Sequence, residues 1–296
     1  MVMLLEDGRV LVTARVDLAA VADLVALDAL LARLFDRFPH AEGWFMAYTD
    51  DHEVAWGVLA ACVDRVGTVR LGRVLQVAST QWRGDHPGGP TGPITGAISP
   101  LAVEAAVLGL PARASRRELA AGLAGPSDSE IEGLLAQFEA CAEELHRLGV
   151  RGRRRLLRRL LRASGQVLVV DCVRLALLAA RPEGQLAVLR GLGRGNAEQQ
   201  LELWAAVVRR CPLGRRAPIL GLVGMAAWQT GDGALQVVCL EELDQIDPQA
   251  PIAALLEWLN QNVVPPGEWE AIRGALLEAL AVEFTTAGRP AIPQGR

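Results

Sequence analysis

The sequence contains no lysine; all thirty basic side chains are arginine. That absence excludes a Schiff base to a pyridoxal cofactor or a carbonyl substrate, which needs a lysine amine. It equally excludes a Walker-type phosphate loop and the strand lysine of a protein kinase. Alanine, leucine, valine and glycine are abundant, so the arginine-only usage reads as a GC-rich codon supply and not as selection on charge.

Other scarcities narrow the field further. There is one Tyr and there are five Phe, although seven Trp is a high count. No run reaches about eighteen consecutive apolar residues, so no membrane span is expected. The first residues, Met-Val-Met-Leu-Leu-Glu-Asp-Gly, carry acids early and no basic stretch, unlike a secretory signal. Five cysteines (Cys62, Cys141, Cys172, Cys211 and Cys239) are scattered without a C-x-x-C spacing. They read as buried apolar residues of a reducing compartment, and the cytoplasm is the expected location. His40, His86 and His146 are isolated, H-E-x-x-H is absent, and none of the six serines lies in G-x-S-x-G. No cofactor is expected.

What is present suits a folded chain. The apolar fraction of 51% is ample for a core, and about 300 residues make one large or two ordinary domains. Val2 to Leu5 and Arg9 to Val16 flank Asp7-Gly8, the preferred two-residue hairpin turn. Leu24, Leu27, Leu30, Leu31, Leu34, Phe35 and Phe38 recur at helical spacing. Trp44 to Thr49 reads as a buried strand, the stretch after Asp50-Asp51 to Val66 as a helix, and Val69 to Ala78 as a strand. His86 to Thr95 reads as loop, because proline and glycine alternate too densely for either regular element.

Beyond that loop the patterns are helical. Ser115 and Glu118 read as a capping box, and Asp128 or Ser129 as the cap of a helix reaching about Leu148. Further helices are expected over Val167–Ala180, Glu198–Arg210, Ala217–Gln229, Gly233–Ile246, Ile252–Asn262 and Glu268–Thr285. Leu220, Gly224, Ala227, Gly231, Leu240 and Pro248 fall at the offsets of one tetratricopeptide-like hairpin, for which an ordinary antiparallel helix pair is the plainer reading. The expected architecture is α+β: a small mixed-sheet α/β domain over residues 1–110, an all-helical domain over 111–290 and a tail over 291–296.

One segment departs from the chain's acidic balance. Residues 147–162 hold eight arginines (147, 151, 153, 154, 155, 158, 159 and 162) and no acid. Residues 1–146 carry 11 arginines against 20 acids, and residues 163–296 carry 11 against 14. If helical, the run places Leu156, Leu157, Leu160 and Leu161 on one side and arginines on the other. Arg151, Arg154, Arg155, Arg158, Arg159 and Arg162 are therefore candidate ligands for an anionic partner, either a nucleic-acid backbone or an acidic protein surface. The plainer alternative is a solvated face, partly paired with Glu130, Glu132, Glu139, Glu143 and Glu144 of the preceding helix.

Asp50, Asp51, His52 and Glu53 follow a strand and open a helix, where α/β sheets place ligand groups. They are candidate metal ligands; the plainer reading is an N-cap that satisfies free backbone N–H groups. Gly191-Leu192-Gly193-Arg194-Gly195 lacks a preceding strand and the spacing of a dinucleotide fingerprint, so it reads as a helix–helix turn. Trp204, Trp228 and Trp258 read as core residues.

The chain resembles the actinobacterial family catalogued as domain of unknown function 4192. The matching pieces are Gly8-Arg9 with Arg15-Val16-Asp17-Leu18, Ala47-Tyr48-Thr49-Asp50, Ser99-Pro100-Leu101-Ala102 with Arg117-Glu118-Leu119, and Ala217-Pro218 through Trp228-Gln229-Thr230-Gly231-Asp232-Gly233-Ala234. Asp247-Pro248 and Pro265 to Trp269 close the match. The resemblance implies the architecture but carries no activity. The chain lacks the family's opening Gly-Phe-x-Pro-x-x-Ser element and the cysteine-bearing insert after Trp82-Arg83, so no metal or redox role is carried over there. The expected function is non-catalytic: a protein-interaction or regulatory accessory protein. A nucleic-acid-associated accessory protein using 147–162 and a cryptic metal-dependent enzyme at Asp50–Glu53 are the alternatives. A protein partner is expected, with nucleic acid or a second copy of the chain also open.

Overall fold

The structure, a computed structural model, describes residues 1–18, 23–94, 116–162 and 167–287. Ser115, half of one expected capping box, lies outside these residues. The chain forms two compact units, Met1–Ala112 with Gln261–Pro265, and Arg113–Asn260 with Pro266–Arg296.

The first unit is built on a six-stranded mixed sheet of order β2-β1-β3-β4-β5-β6. Strands β1 (Val2–Glu6) and β2 (Arg9–Ala14) pair antiparallel across Asp7-Gly8. Both turn residues have positive φ (50° and 72°), as a type I′ turn requires and as Gly8 permits without strain. Helix α1 (Leu24–Arg37) starts where the Asp23 carboxylate accepts the Val25 N–H at 2.9 Å. It buries Leu27, Leu31, Leu34 and Phe35, one stripe of its surface. Then β3 (Glu42–Tyr48), α2 (His52–Val66) and β4 (Leu71–Val77) form a parallel βαβ unit at the sheet centre. Leu4, Phe45, Ala47 and Val74 from the sheet pack with Leu31, Phe35, Trp56 and Leu59 from the helices as one core.

The segment read as loop closes the sheet. Strands β5 (Gln81–Gly84) and β6 (Thr91–Pro93) form a short antiparallel hairpin, so the Pro/Gly run is strand at Thr91–Pro93. Its glycines serve close approach. A Cβ on Gly92 would lie 2.6 Å from the Trp82 indole nitrogen, and one on Gly89 1.9 Å from the Gly84 carbonyl. Three-residue strands with proline at the end fit a sheet edge.

In the second unit the described elements are helical: α3 (Arg116–Gly122), α4 (Asp128–Arg147), α5 (Val150–Leu161), α6 (Val169–Ala179), α7 (Pro182–Gly191), α8 (Ala197–Val208), α9 (Ala217–Thr230), α10 (Gly233–Ile246), α11 (Pro251–Gln261) and α12 (Trp269–Ala287). Helix α7 occupies a stretch that the sequence reading left without an element; Pro182 starts it instead of only ending α6. Gly191–Gly195 leads from α7 through a 3₁₀ turn (Arg194–Asn196) to α8. All five cysteines are buried and free. Trp204 and Trp228 are buried, but Trp258, expected in the core, is 40% exposed.

Helix α9 is the centre of this unit. Ala217 and every residue from Ile219 to Gln229 are buried, so the helix is enclosed on all sides. It ends at Gly231 (φ 85°), with Asp232 N–H donating to Ala227 O at 2.8 Å; the Asp232 carboxylate then accepts the Leu235 N–H at 3.0 Å to start α10. Gly224 allows Cys239 of α10 and Leu256 of α11 to approach, and Gly221 admits Ile252 of α11.

A Cβ on Gly221 would stand 2.3 Å from Ile252 Cγ2. Gly221→Ala is therefore expected to destabilise by about 1–3 kcal/mol, overriding a helix-propensity gain of up to about 1 kcal/mol. Gly133→Ala, on exposed α4 where nothing lies within 4 Å of the new Cβ, should be neutral or stabilising. Urea midpoints check the pair, and equal midpoints would show that close packing at Gly221 is not limiting.

Candidate functional site

The arginine-rich segment forms α5, and its leucines decide the helix orientation. Leu156, Leu157 and Leu160 are buried and Leu161 is partly buried, with α6 as the neighbouring helix. At about 100° per residue, Arg151, Arg154, Arg155, Arg158, Arg159 and Arg162 fall on the opposite side, within a sector of roughly 140°. All six are exposed. The spacing i, i+3, i+4, i+7, i+8, i+11 makes them one stripe about 16 Å long.

Two arginines of the cluster have structural work. Arg153 donates to Leu148 O at 2.7 Å and Leu145 O at 3.4 Å, satisfying carbonyls at the end of α4. Arg147 pairs with Glu143 one turn back at 3.3 Å. The six stripe arginines have no carboxylate partner among the described residues; Arg158 Nε reaches only the Arg154 carbonyl, at 3.4 Å.

Of the pairing expected with the preceding helix only Arg147 with Glu143 forms among the described residues, and two of the other acids named for it are engaged elsewhere. Glu144 holds Arg174 of α6 at 2.8 Å, and Asp171 holds the same guanidinium at 3.0 Å. The hydrogen bond that Arg174 donates to Glu144 is the chief cause that raises the Arg174 pKa. Glu130 accepts from the Ser127 N–H (2.9 Å) and hydroxyl (2.6 Å), and both bonds keep its carboxyl below the usual range. Ser127, and neither Asp128 nor Ser129, is thus the N-cap of α4.

The Asp50–Glu53 corner is arranged differently from a metal cage. Asp51 accepts the Val54 N–H at 3.0 Å and caps α2. Asp50 turns away to accept the Ser79 N–H at 2.7 Å. His52 Nδ1 lies 2.8 Å from Gln76 Oε1, which also accepts the buried Trp56 indole N–H at 3.1 Å. Gln76 Nε2 donates to Thr49 O at 3.2 Å, so Oε1 must face the two rings and Nδ1 of His52 carries the proton. Glu53 is exposed. Among the described residues no three His, Cys, Asp or Glu side chains converge on a common point. The corner is a capped helix start with an imidazole oriented by a buried amide.

Sequence reasoning missed a groove of about 490 Å³ within the helical unit, lined among others by Ile131, Cys211, Leu213, Arg216, Glu242 and Ile246. Arg216 is buried and donates to Leu123 O (2.9 Å) and Glu242 (3.0 Å), tying the loop before α4 to α10. Burial pushes the Cys211 thiol up to about 12, leaving it a poor nucleophile at neutral pH. Neither partnership has a signature in sequence spacing, since Arg216 and Leu123 stand 93 residues apart.

Gln76→Leu strands the Trp56 N–H and the Thr49 carbonyl and should cost about 1–3 kcal/mol of unfolding free energy; denaturant unfolding within error of wild type would remove the proposed load on Gln76. The Ser79 backbone N–H, then its hydroxyl, holds the Asp50 carboxyl below the ordinary aspartate range. A carboxyl depressed in the folded state contributes stability above its unfolded pKa and loses it as pH falls through the folded value. Carbon-13 titration of Asp50 should accordingly give a midpoint below that of a free aspartate, and an ordinary midpoint would show the Ser79 bond absent in solution.

The chain belongs to the family described as Domain of unknown function (DUF4192), which it matches over residues 1–267. No curated protein and no solved structure matches it. Among the described residues no helix is long and apolar enough to cross a membrane.

Proposed function

We propose that this member of the DUF4192 family is a non-catalytic interaction protein that docks an acidic protein surface on the arginine stripe of α5. The observation that carries the reading is the unpaired state of that stripe. Six exposed guanidinium groups share one helix face, and none of them has a carboxylate partner among the described residues.

Such a stripe is costly for an isolated chain. Seven like-charge pairs stand at i,i+3 or i,i+4 along α5, each worth about 0.2–0.5 kcal/mol of repulsion at low salt. An anionic surface laid along the helix relieves all of them together and gains charge-assisted hydrogen bonds. Arg158, Arg159 and Arg162 also lie at the C-terminal end, where cations complement the helix dipole, and Arg151 lies at the unfavourable end. The rest of the chain is acidic, which disfavours a uniform polyanion such as a nucleic-acid backbone and favours a partner of mixed charge.

Fluorescence anisotropy with labelled polyglutamate in about 50 mM salt tests the reading. Wild type is expected to bind, and replacing Arg154, Arg155, Arg158 and Arg159 together by glutamine should weaken binding by about tenfold or more. Failure of the wild type to bind, or undiminished binding by the variant, would sink the proposal. Preferential binding of duplex DNA, with a steep salt slope, would put the nucleic-acid reading in its place.

A further inference from the structure

The same unit that carries the arginine stripe also carries a surface that complements it. On α4, Asp128, Glu132, Glu139 and Glu143 recur at i, i+4, i+11 and i+15 and are all exposed. Their positions fall within about 60° of one another around the helix axis. The buried residues of α4, Leu134, Phe138, Cys141 and Leu145, lie on a different side. Asp128, Glu132 and Glu139 have no ion-pair partner among the described residues, while Glu143 meets only Arg147. Leu135, 43% exposed, sits in the middle of this acidic stripe.

The two stripes belong to consecutive helices, separated only by Leu148 and Gly149 and both packed on α6. They do not neutralise each other within the chain. The buried faces of α4 and α5 are fixed by their leucines against α6, and each stripe is thereby turned outward. The acidic stripe spans about 22 Å and the basic one about 16 Å, both straight runs along a helix.

A surface with a positive and a negative stripe on joined helices is self-complementary under a two-fold rotation, which sets the basic stripe of one copy on the acidic stripe of the other. We propose that the partner of the α5 stripe is the α4 stripe of a second copy of this chain. The inference rests on the docking role given to α5 above and names its occupant. A polyanion fits this surface less well, because it would meet repulsion from Asp128, Glu132 and Glu139 beside the arginines it binds. A second copy presents both signs in the required order. Helices of 20 and 12 residues and about 10 Å width offer roughly 500 Å² per copy, less than a standard interface, so the dimer is weak and salt-sensitive.

Sedimentation equilibrium of the full chain in about 50 mM and about 500 mM salt tests this. The expected result is a concentration-dependent dimer at low salt that dissociates at high salt and on adding polyglutamate. Arg154→Glu with Arg158→Glu should abolish it, and so should Glu132→Arg with Glu139→Arg. An equimolar mixture of the two charge-reversed chains should restore a dimer that neither forms alone. The milder pair Arg154→Gln and Arg158→Gln, with unchanged circular dichroism, should weaken association by about tenfold, separating loss of contact from loss of fold. A wild type monomeric at both salts that still binds polyglutamate overturns the self-association and leaves the docking role standing. A monomer that binds no polyglutamate overturns both. A dimer that survives charge reversal, or a mixture that stays monomeric, places the interface elsewhere.

Discussion

Helix α9 has no solvent face, and the helical unit is arranged around that constraint. A helix buried on every side needs partners all round, and α9 packs closely only where its own surface is small. Gly221 and Gly224 provide that, leaving room for Ile252 and Leu256 of α11 and for Cys239 of α10. Two side chains that enter this core donate to backbone carbonyls. Gln185 donates to Pro218 O at 3.2 Å, and Trp269 donates its indole N–H to Leu192 O at 2.9 Å while its ring meets Trp228 edge-on. The surface chemistry is carried by the outer helices. Helix α6 buries six of its eleven residues and passes support outward to α4 and α5, whose outer faces carry the charge.

The sheet unit follows a different logic. Its parallel pair β3–β4 depends on the crossover through α2, and that helix starts at a point where four polar side chains meet two backbone ends. Thr49, Asp51, His52 and Gln76 each form a hydrogen bond there, and Asp50 reaches Ser79 at the start of the next turn. Thr49, Asp50 and Asp51 each accept a backbone N–H there. Acidic residues at this place in an α/β sheet thus have a sufficient structural cause.

Much of the architecture was legible in residue order. Asp7-Gly8 marked the hairpin, the spacing from Leu27 to Phe35 marked α1, and Gly231-Asp232 marked the turn between α9 and α10. What escaped was set by contacts remote in sequence. Thr91–Pro93 is too short and too rich in glycine to show a period, and it becomes a strand because Trp82 lies across Gly92. Pro182 signals both an end and a beginning, and α7 follows because Gly184 tolerates a carbonyl of the preceding helix where a Cβ would lie 1.9 Å from Leu178 O. For the candidate site, the leucine period of α5 predicted which side the arginines take. It carried no information on whether they are paired, because Glu144 is claimed by Arg174, thirty residues away.

The unpaired stripe changes what the missing lysine means. A chain with only arginine as its base has no cheaper cation to place on a solvated face, so finding arginine there says nothing about recognition. The informative quantity is how many of the arginines are already spent. Arg153 closes the end of α4, Arg147 holds Glu143, Arg174 binds two acids, and Arg216 joins a loop to α10. Arginines with structural duties are thus common in this unit, and each is recognisable by a carbonyl or carboxylate within hydrogen-bonding distance. The six on the outer face of α5 have no carboxylate among the described residues, although α4 and its acids adjoin them in sequence. A surface on which both signs are present, close together and kept apart by the packing beneath them can be neutralised only from outside. The separation is maintained by the leucines of α4 and α5, which fix both helices on α6, so the same hydrophobic contacts that stabilise the unit also keep its outer charges available to a partner.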